Sequence, residues 1–158
     1  MILNFHNLSL KEIIMTSSEK AVSEFSKGYN CAQSVFSAFS EVVRVDEDLS
    51  RSIASGFGGG FGRLQETCGA VTGAIMVIGC RFFKENQWPA SKEVIYKKTR
   101  EFIEKFKQRN DTIKCLELIG VDLNTEEGNR IANEKKLFSV KCERYIKDAC
   151  ELLEEIIE

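Results

Sequence analysis

Along residues 9–27, "SLKEIIMTSSEKAVSEFSK", apolar side chains recur at Ile13, Ile14, Ala21, Val22 and Phe25. The later spacing is that of one face of a helix, and Gly28 supplies a stop signal. A second apolar stripe, Val35, Phe36 and Phe39, follows Asn30, a good N-cap, which makes Cys31 the first residue of a helix. "DEDLSRSIASGF" predicts a short helix entered at Asp46. The run "GFGGGFG" at 56–62 predicts neither regular helix nor strand. Residues 68–83, "CGAVTGAIMVIGCRFF", are then almost wholly apolar. Strand and helix both suit such a run. Its length and small residues favour a buried helix, with Thr67 as cap and Gly69, Gly73, Ala70 and Ala74 permitting close contact with a neighbour.

Trp88-Pro89 opens the next helix, which extends to about Arg109 with Val94, Ile95, Phe102, Ile103 and Phe106 on one face. "DTIKCLELIG" predicts a short helix with Asp111 as cap and Gly120 as stop, and Cys115 one turn into it. The polar stretch "VDLNTEEGNRIANEKK" separates it from a final amphipathic helix over roughly 140–157. With one proline in 158 residues and no alternating strand runs, the pattern predicts an all-α chain. The expectation is a single compact helical domain of about six to seven helices over 15–158, behind an N-terminal extension at 1–14.

Charge narrows the function. A formal net charge of −2 argues against nucleic acid as a partner. The basic stretch "IYKKTREFIEKFKQR" is interleaved with glutamate, as on a solvated helix face. No apolar stretch reaches 18 residues, so no membrane span is expected. The first residues lack the marks of a signal peptide, so a cytoplasmic, reducing compartment is expected. Six cysteines there read as thiols, metal ligands or redox groups rather than structural staples.

The cysteines are Cys31, Cys68, Cys80, Cys115, Cys142 and Cys150. On a continuous helix Cys68 and Cys80 would stand about 18 Å apart, and Cys142 and Cys150 about 12 Å. A disulfide needs Cα atoms within roughly 7 Å, so thiol chemistry must join different helices. Cys31 and Cys68 each open a predicted helix, where unsatisfied amides and the helix dipole stabilise a thiolate and lower the thiol pKa. Cys80 and Cys150, inside apolar helical stretches, read as small buried packing residues. The single histidine, His6, lies in the N-terminal extension, so a Cys–His catalytic pair or zinc finger has little support.

The glycine run matches neither the dinucleotide fingerprint nor the Walker pattern, and has no βαβ context. Its glycines, Gly58, Gly59 and Gly60, together with Gly69 and Gly73, instead let backbone pass close to a partner helix, a cluster or a small ligand beside Cys68.

Four ordered segments, "GYNCAQSV", "GFGGGFGRLQETCGAVTGA", "CLELIGVDL" and "KCERYIKDACELLEEI", resemble a redox-active family named for its C_GCAxxG_C_C pattern, with four cysteines and a CGAxxG motif. The resemblance covers about residues 20–157. It implies that Cys31, Cys68, Cys115 and Cys142 are the redox or ligand residues, while Cys80 and Cys150 lie outside the pattern. It implies no particular reaction and no particular cofactor.

Three readings follow. The first is dithiol/disulfide chemistry among the four cysteines, with Cys31 and Cys68 as first pair. The second is a metal or iron–sulfur cluster held by the same four thiolates. Spacing counts against the second, because the closest of the four are 27 positions apart and such sites usually include a short Cys–Cys pair. The third is a non-catalytic helical partner of a transporter or oxidoreductase. Oligomeric state is left open.

Overall fold

The computed structural model describes residues 15–158. These contain nine α-helices and no strand. They are α1 (Ser17–Ser26), α2 (Cys31–Ala38), α3 (Ser40–Val43), α4 (Glu47–Ala54), α5 (Gly69–Phe82), α6 (Ala90–Asn110), α7 (Cys115–Ile119), α8 (Glu126–Glu134) and α9 (Glu143–Ile157). The all-α expectation holds, but the number exceeds six to seven for two local reasons. The stripe after Asn30 breaks at Phe39, whose backbone is non-helical, dividing one expected helix into α2 and α3. The polar stretch after Gly120 holds α8, which starts where the Thr125 hydroxyl accepts the Gly128 amide at 3.0 Å. Ile13, Ile14, His6 and the rest of the expected extension lie outside the described residues. α1 itself starts behind Thr16, which forms a reciprocal capping box with Glu19.

α2, α5 and α9 pack against one another, with α1 against α2 and α9, α4 against α2, and α6 against α5 and α9. Phe36, Phe39, Ile78, Phe102, Phe106, Ile146, Leu153 and Ile156 fill the space between them. Burial of each large apolar side chain contributes about 1.5–3 kcal/mol before entropy is subtracted. On α6, Phe102 and Phe106 are buried, whereas Val94, expected on the same face, is exposed.

The α2–α5 crossing sets the position of the cysteines. A Cβ on Gly73 would lie 2.7 Å from the Ala32 carbonyl oxygen, and one on Gly69 would lie 3.1 Å from the Cys31 Cβ. Small residues on α5 therefore let its backbone sit directly against the first turn of α2. A second tie joins α1 to α4. The buried Glu24 carboxylate accepts from Lys27 at 2.7 Å and from Arg51 at 2.7 and 3.0 Å.

Candidate functional site

Cys31 is the first residue of α2, as its sequence predicts. Asn30 Oδ1 accepts the Gln33 amide and Gln33 Oε1 accepts the Asn30 amide, both at 3.0 Å. The same two side chains reach the end of α4: Asn30 Nδ2 donates to the Ser55 carbonyl at 2.9 Å and Gln33 Nε2 to that of Arg51 at 3.1 Å. Cys68 immediately precedes α5 and is itself the capping position; Thr67, the expected cap, instead pairs with Lys114 in an isolated antiparallel bridge. That bridge brings Cys68 and Cys115 together. The Cys68 amide donates to Ile113 at 2.8 Å, and the Cys115 amide donates to Glu66 at 2.6 Å. Cys115 is therefore the first residue of α7 rather than one turn inside it, and Asp111 closes α6 instead of capping α7. Cys142 ends a π-helical turn, Phe138–Cys142, that leads into α9. Such turns recur at functional sites.

The glycine run explains how these segments fit. Gly59, Gly60, Phe61, Gly62 and Arg63 all have positive φ, between 57° and 71°. L-residues disfavour this left-handed turn by roughly 1–2 kcal/mol each, and glycine escapes the penalty at three of the five positions. A Cβ on Gly58 would lie 2.6 Å from the Asn30 Cβ, and one on Gly60 would lie 2.9 Å from the Cys115 Cβ. The turn thus fits between the cap of α2 and the start of α7. Gln65 fastens its far end: its Nε2 donates to Val121 at 3.0 Å and its Oε1 accepts from the Leu123 amide at 2.7 Å.

Cys31, Cys68, Cys115 and Cys142 all line one cavity of about 410 Å³, together with Gly58, Gly59 and Gly69. Gly60 and Gly73 stand outside this lining and clear space for Cys115 and for α2. The two remaining cysteines are elsewhere. Cys150 is fully buried in the core, as expected, but Cys80 is exposed near the end of α5 and is not a core residue. Sequence reading also left out Arg63 and Tyr145, which line the cavity. Neither carries a motif of its own. Tyr145 donates to the Leu118 carbonyl at 2.9 Å and Lys141 Nζ to that of Ile119 at 2.8 Å, tying the start of α9 to α7.

All six cysteines are free thiols. Cys31 packs against the cluster that holds Cys115 and Cys142. Its interaction with the Cys142 thiol, together with burial, pushes Cys31 well above the ordinary thiol range. The same interaction draws Cys142 below it, outweighing burial, with Lys141 adding to the effect. Burial raises Cys68 to about 11 even though the amides of Ala70 and Val71 pull the other way, and it raises Cys115 to about 12, with Cys68 and Cys142 contributing. The expectation of lowered pKa at Cys31 and Cys68 is thus reversed. The helix-start amides are present at Cys68, but loss of solvent outweighs them.

A four-thiolate metal site needs its sulfurs gathered around one point. Among the described residues no group of three or more His, Cys, Asp or Glu side chains is placed to hold a metal ion. Nor is any described helix long and apolar enough to cross a membrane.

Fold and cavity together define an all-α protein that gathers four thiols from four chain segments into one small space. The chain belongs to the family described as "Putative redox-active protein (C_GCAxxG_C_C)", which matches residues 29–156. No curated protein and no solved structure matches it.

Proposed function

We propose that the cavity carries out thiol/disulfide exchange, with Cys142 as attacking thiolate and Cys31 as resolving thiol. The observation that carries this reading is that Cys31 and Cys142 are neighbours in one cavity lining, where their interaction favours the thiolate on Cys142 and keeps a second thiol beside it. This replaces the Cys31–Cys68 pair favoured by sequence. Cys142 attacks one sulfur of a disulfide RSSR, forming a mixed disulfide and releasing RS⁻. The Cys31 sulfur then attacks Cys142, forming the Cys31–Cys142 bond and releasing the second RS⁻. The two thiol protons leave with the two products, so RSSR gains two electrons and the protein loses two. The reverse sequence oxidises two thiols.

Cys68 and Cys115, kept protonated by burial, complete the four-thiol lining. Gly58 and Gly59, without side chains, let the turn close against Asn30 and Arg63 at the edge of the cavity. The reaction needs no cofactor. A reducing, cytoplasmic setting would return the pair to its dithiol form.

Trapping tests the assignment. The Cys31→Ser variant, mixed with a small disulfide, is expected to accumulate a stable adduct on Cys142 readable by intact mass, because the resolving sulfur is gone. The Cys142→Ser variant is expected to form none at Cys31. An adduct confined to Cys80 in both variants would refute the assignment.

A further inference from the structure

The cavity has one charged lining residue. Arg63 lies among Phe25, Leu118, Ile119, Leu123, Phe138 and the four cysteines, with no acidic side chain in the same lining. Arg51 is engaged by Glu24, Arg109 by Glu151, and Arg130 by Glu127 and Glu134, whereas Arg44, Arg81 and Arg100 form no ion pair among the described residues but line neither this cavity nor the one beside it. Arg63 forms no ion pair among the described residues, and its backbone is held at φ 71°, an unfavourable value for a side-chain-bearing residue. Its carbonyl accepts from Asn124 Nδ2 at 3.3 Å, and its Cγ lies 3.1 Å from where a Gly59 Cβ would be. The left-handed turn and the missing side chain of Gly59 therefore make room for the exposed Arg63 side chain at the rim of the cavity.

A second cavity, of about 600 Å³, adjoins the first and shares Phe25, Asn30, Arg63 and Phe138 with it. Its charged lining residues are Arg63, Lys136 and Glu143. Glu143 is engaged by Lys147 at 3.1 Å, and Lys136 forms no ion pair among the described residues. The path from the second cavity to the sulfurs thus carries unmatched positive charge, with Arg63 at the junction.

We infer that the substrate is a small thiol or disulfide bearing a carboxylate, which Arg63 binds while its sulfur meets Cys142. The inference rests on the thiol/disulfide reading and adds its substrate class. A volume near 410 Å³ suits a low-molecular-weight compound. The apolar walls suit the carbon chain, and a guanidinium matches a carboxylate by paired hydrogen bonds. The reaction is the same two-electron exchange: RSSR becomes two RSH, and Cys31 and Cys142 become a disulfide.

The test compares three small disulfides of similar reach: dithiodipropionate, a dianion; hydroxyethyl disulfide, which is neutral; and cystamine, a dication. Single-turnover rates with the reduced protein are divided by those of a free small thiol, which removes intrinsic reactivity. The native protein is expected to prefer the dianion over the dication. In Arg63→Gln that preference should fall by about tenfold, the loss of one charge-assisted hydrogen bond, while the neutral rate stays within about twofold. Arg63→Lys should keep most of the preference, and raised salt should weaken it in the native protein. Arg63→Gly, whose backbone suits the left-handed position, repeats the test without strain.

An unchanged preference in both Arg63→Gln and Arg63→Gly would overturn the inference. So would a parallel fall of all three rates, which would make Arg63 a part of the turn only. If the native protein reduces the neutral disulfide but shows no charge preference, the inference fails and the thiol/disulfide reading stands. If it reduces none of the three, both fail.

Discussion

At the scale of single residues, the site turns on which thiol holds its proton. The interaction between Cys31 and Cys142 draws Cys142 below the ordinary thiol range, with Lys141 assisting, and with burial it pushes Cys31 above that range. Near neutral pH, limiting iodoacetamide should therefore label Cys142 before Cys68, Cys115 and Cys150, all raised by burial. Removing that thiol in Cys31→Ala should raise the Cys142 pKa, so its rate-against-pH profile should move to higher pH and its rate near pH 7 should fall. Peptide mapping over time reads both results. An unmoved profile in Cys31→Ala would show that Cys31 does not tune Cys142. The sequence makes part of this legible. Asn30 and Gln33 announce the helix start at Cys31, because capping is a local interaction. The direction of each pKa is not legible, since it depends on burial by segments far away in the chain. Cys80 errs for the same reason: "MVIGCRFF" is apolar, yet the end of α5 leaves Cys80 exposed.

At the scale of elements, apolar periodicity identifies the helices that bury a face. α2, α5, α6 and α9 are legible from Val35, Phe36, Phe102, Phe106 and the amphipathic last segment. α8 is not legible that way, because only Gly128 and Ala132 of its residues are buried. Its signal is the Thr125 cap followed by Glu126 and Glu127 in the first turn. Between elements, Glu24 carries a buried electrostatic link. Burial pushes its carboxyl up, but hydrogen bonds from Lys27 and Arg51 more than reverse this, and the carboxyl lies below its usual range. A carboxyl with a lowered folded pKa stabilises the fold above its unfolded pKa, and that stability is lost as pH falls through the lowered folded value. Glu24→Gln should cost about 3 kcal/mol at pH 7, the low end for a broken buried pair, because Arg51 keeps Glu47 and Asp48. The difference between native and variant should shrink below about pH 4. Urea midpoints at pH 7 and pH 3 measure it, and an equal difference at both would show that Glu24 acts through packing alone.

At the scale of the whole molecule, the fold is a device for convergence. Cys31 comes from the start of α2, Cys68 from the start of α5, Cys115 from the start of α7 and Cys142 from the turn before α9, yet all four line one cavity. The ordered four-cysteine pattern makes these positions legible as a set. Their meeting is not legible, since it requires the Gly73–Ala32 crossing and the Thr67–Lys114 bridge, both between distant segments. The proposed redox pair is Cys31 and Cys142. Disulfide mapping by mass spectrometry, on protein equilibrated across a series of glutathione redox buffers, reads the pairing itself. A Cys31–Cys142 cross-linked peptide is expected to rise and fall with the buffer potential and to disappear in Cys142→Ser. Six free thiols at every potential, or a bond that pairs Cys31 with Cys68 instead, would contradict it.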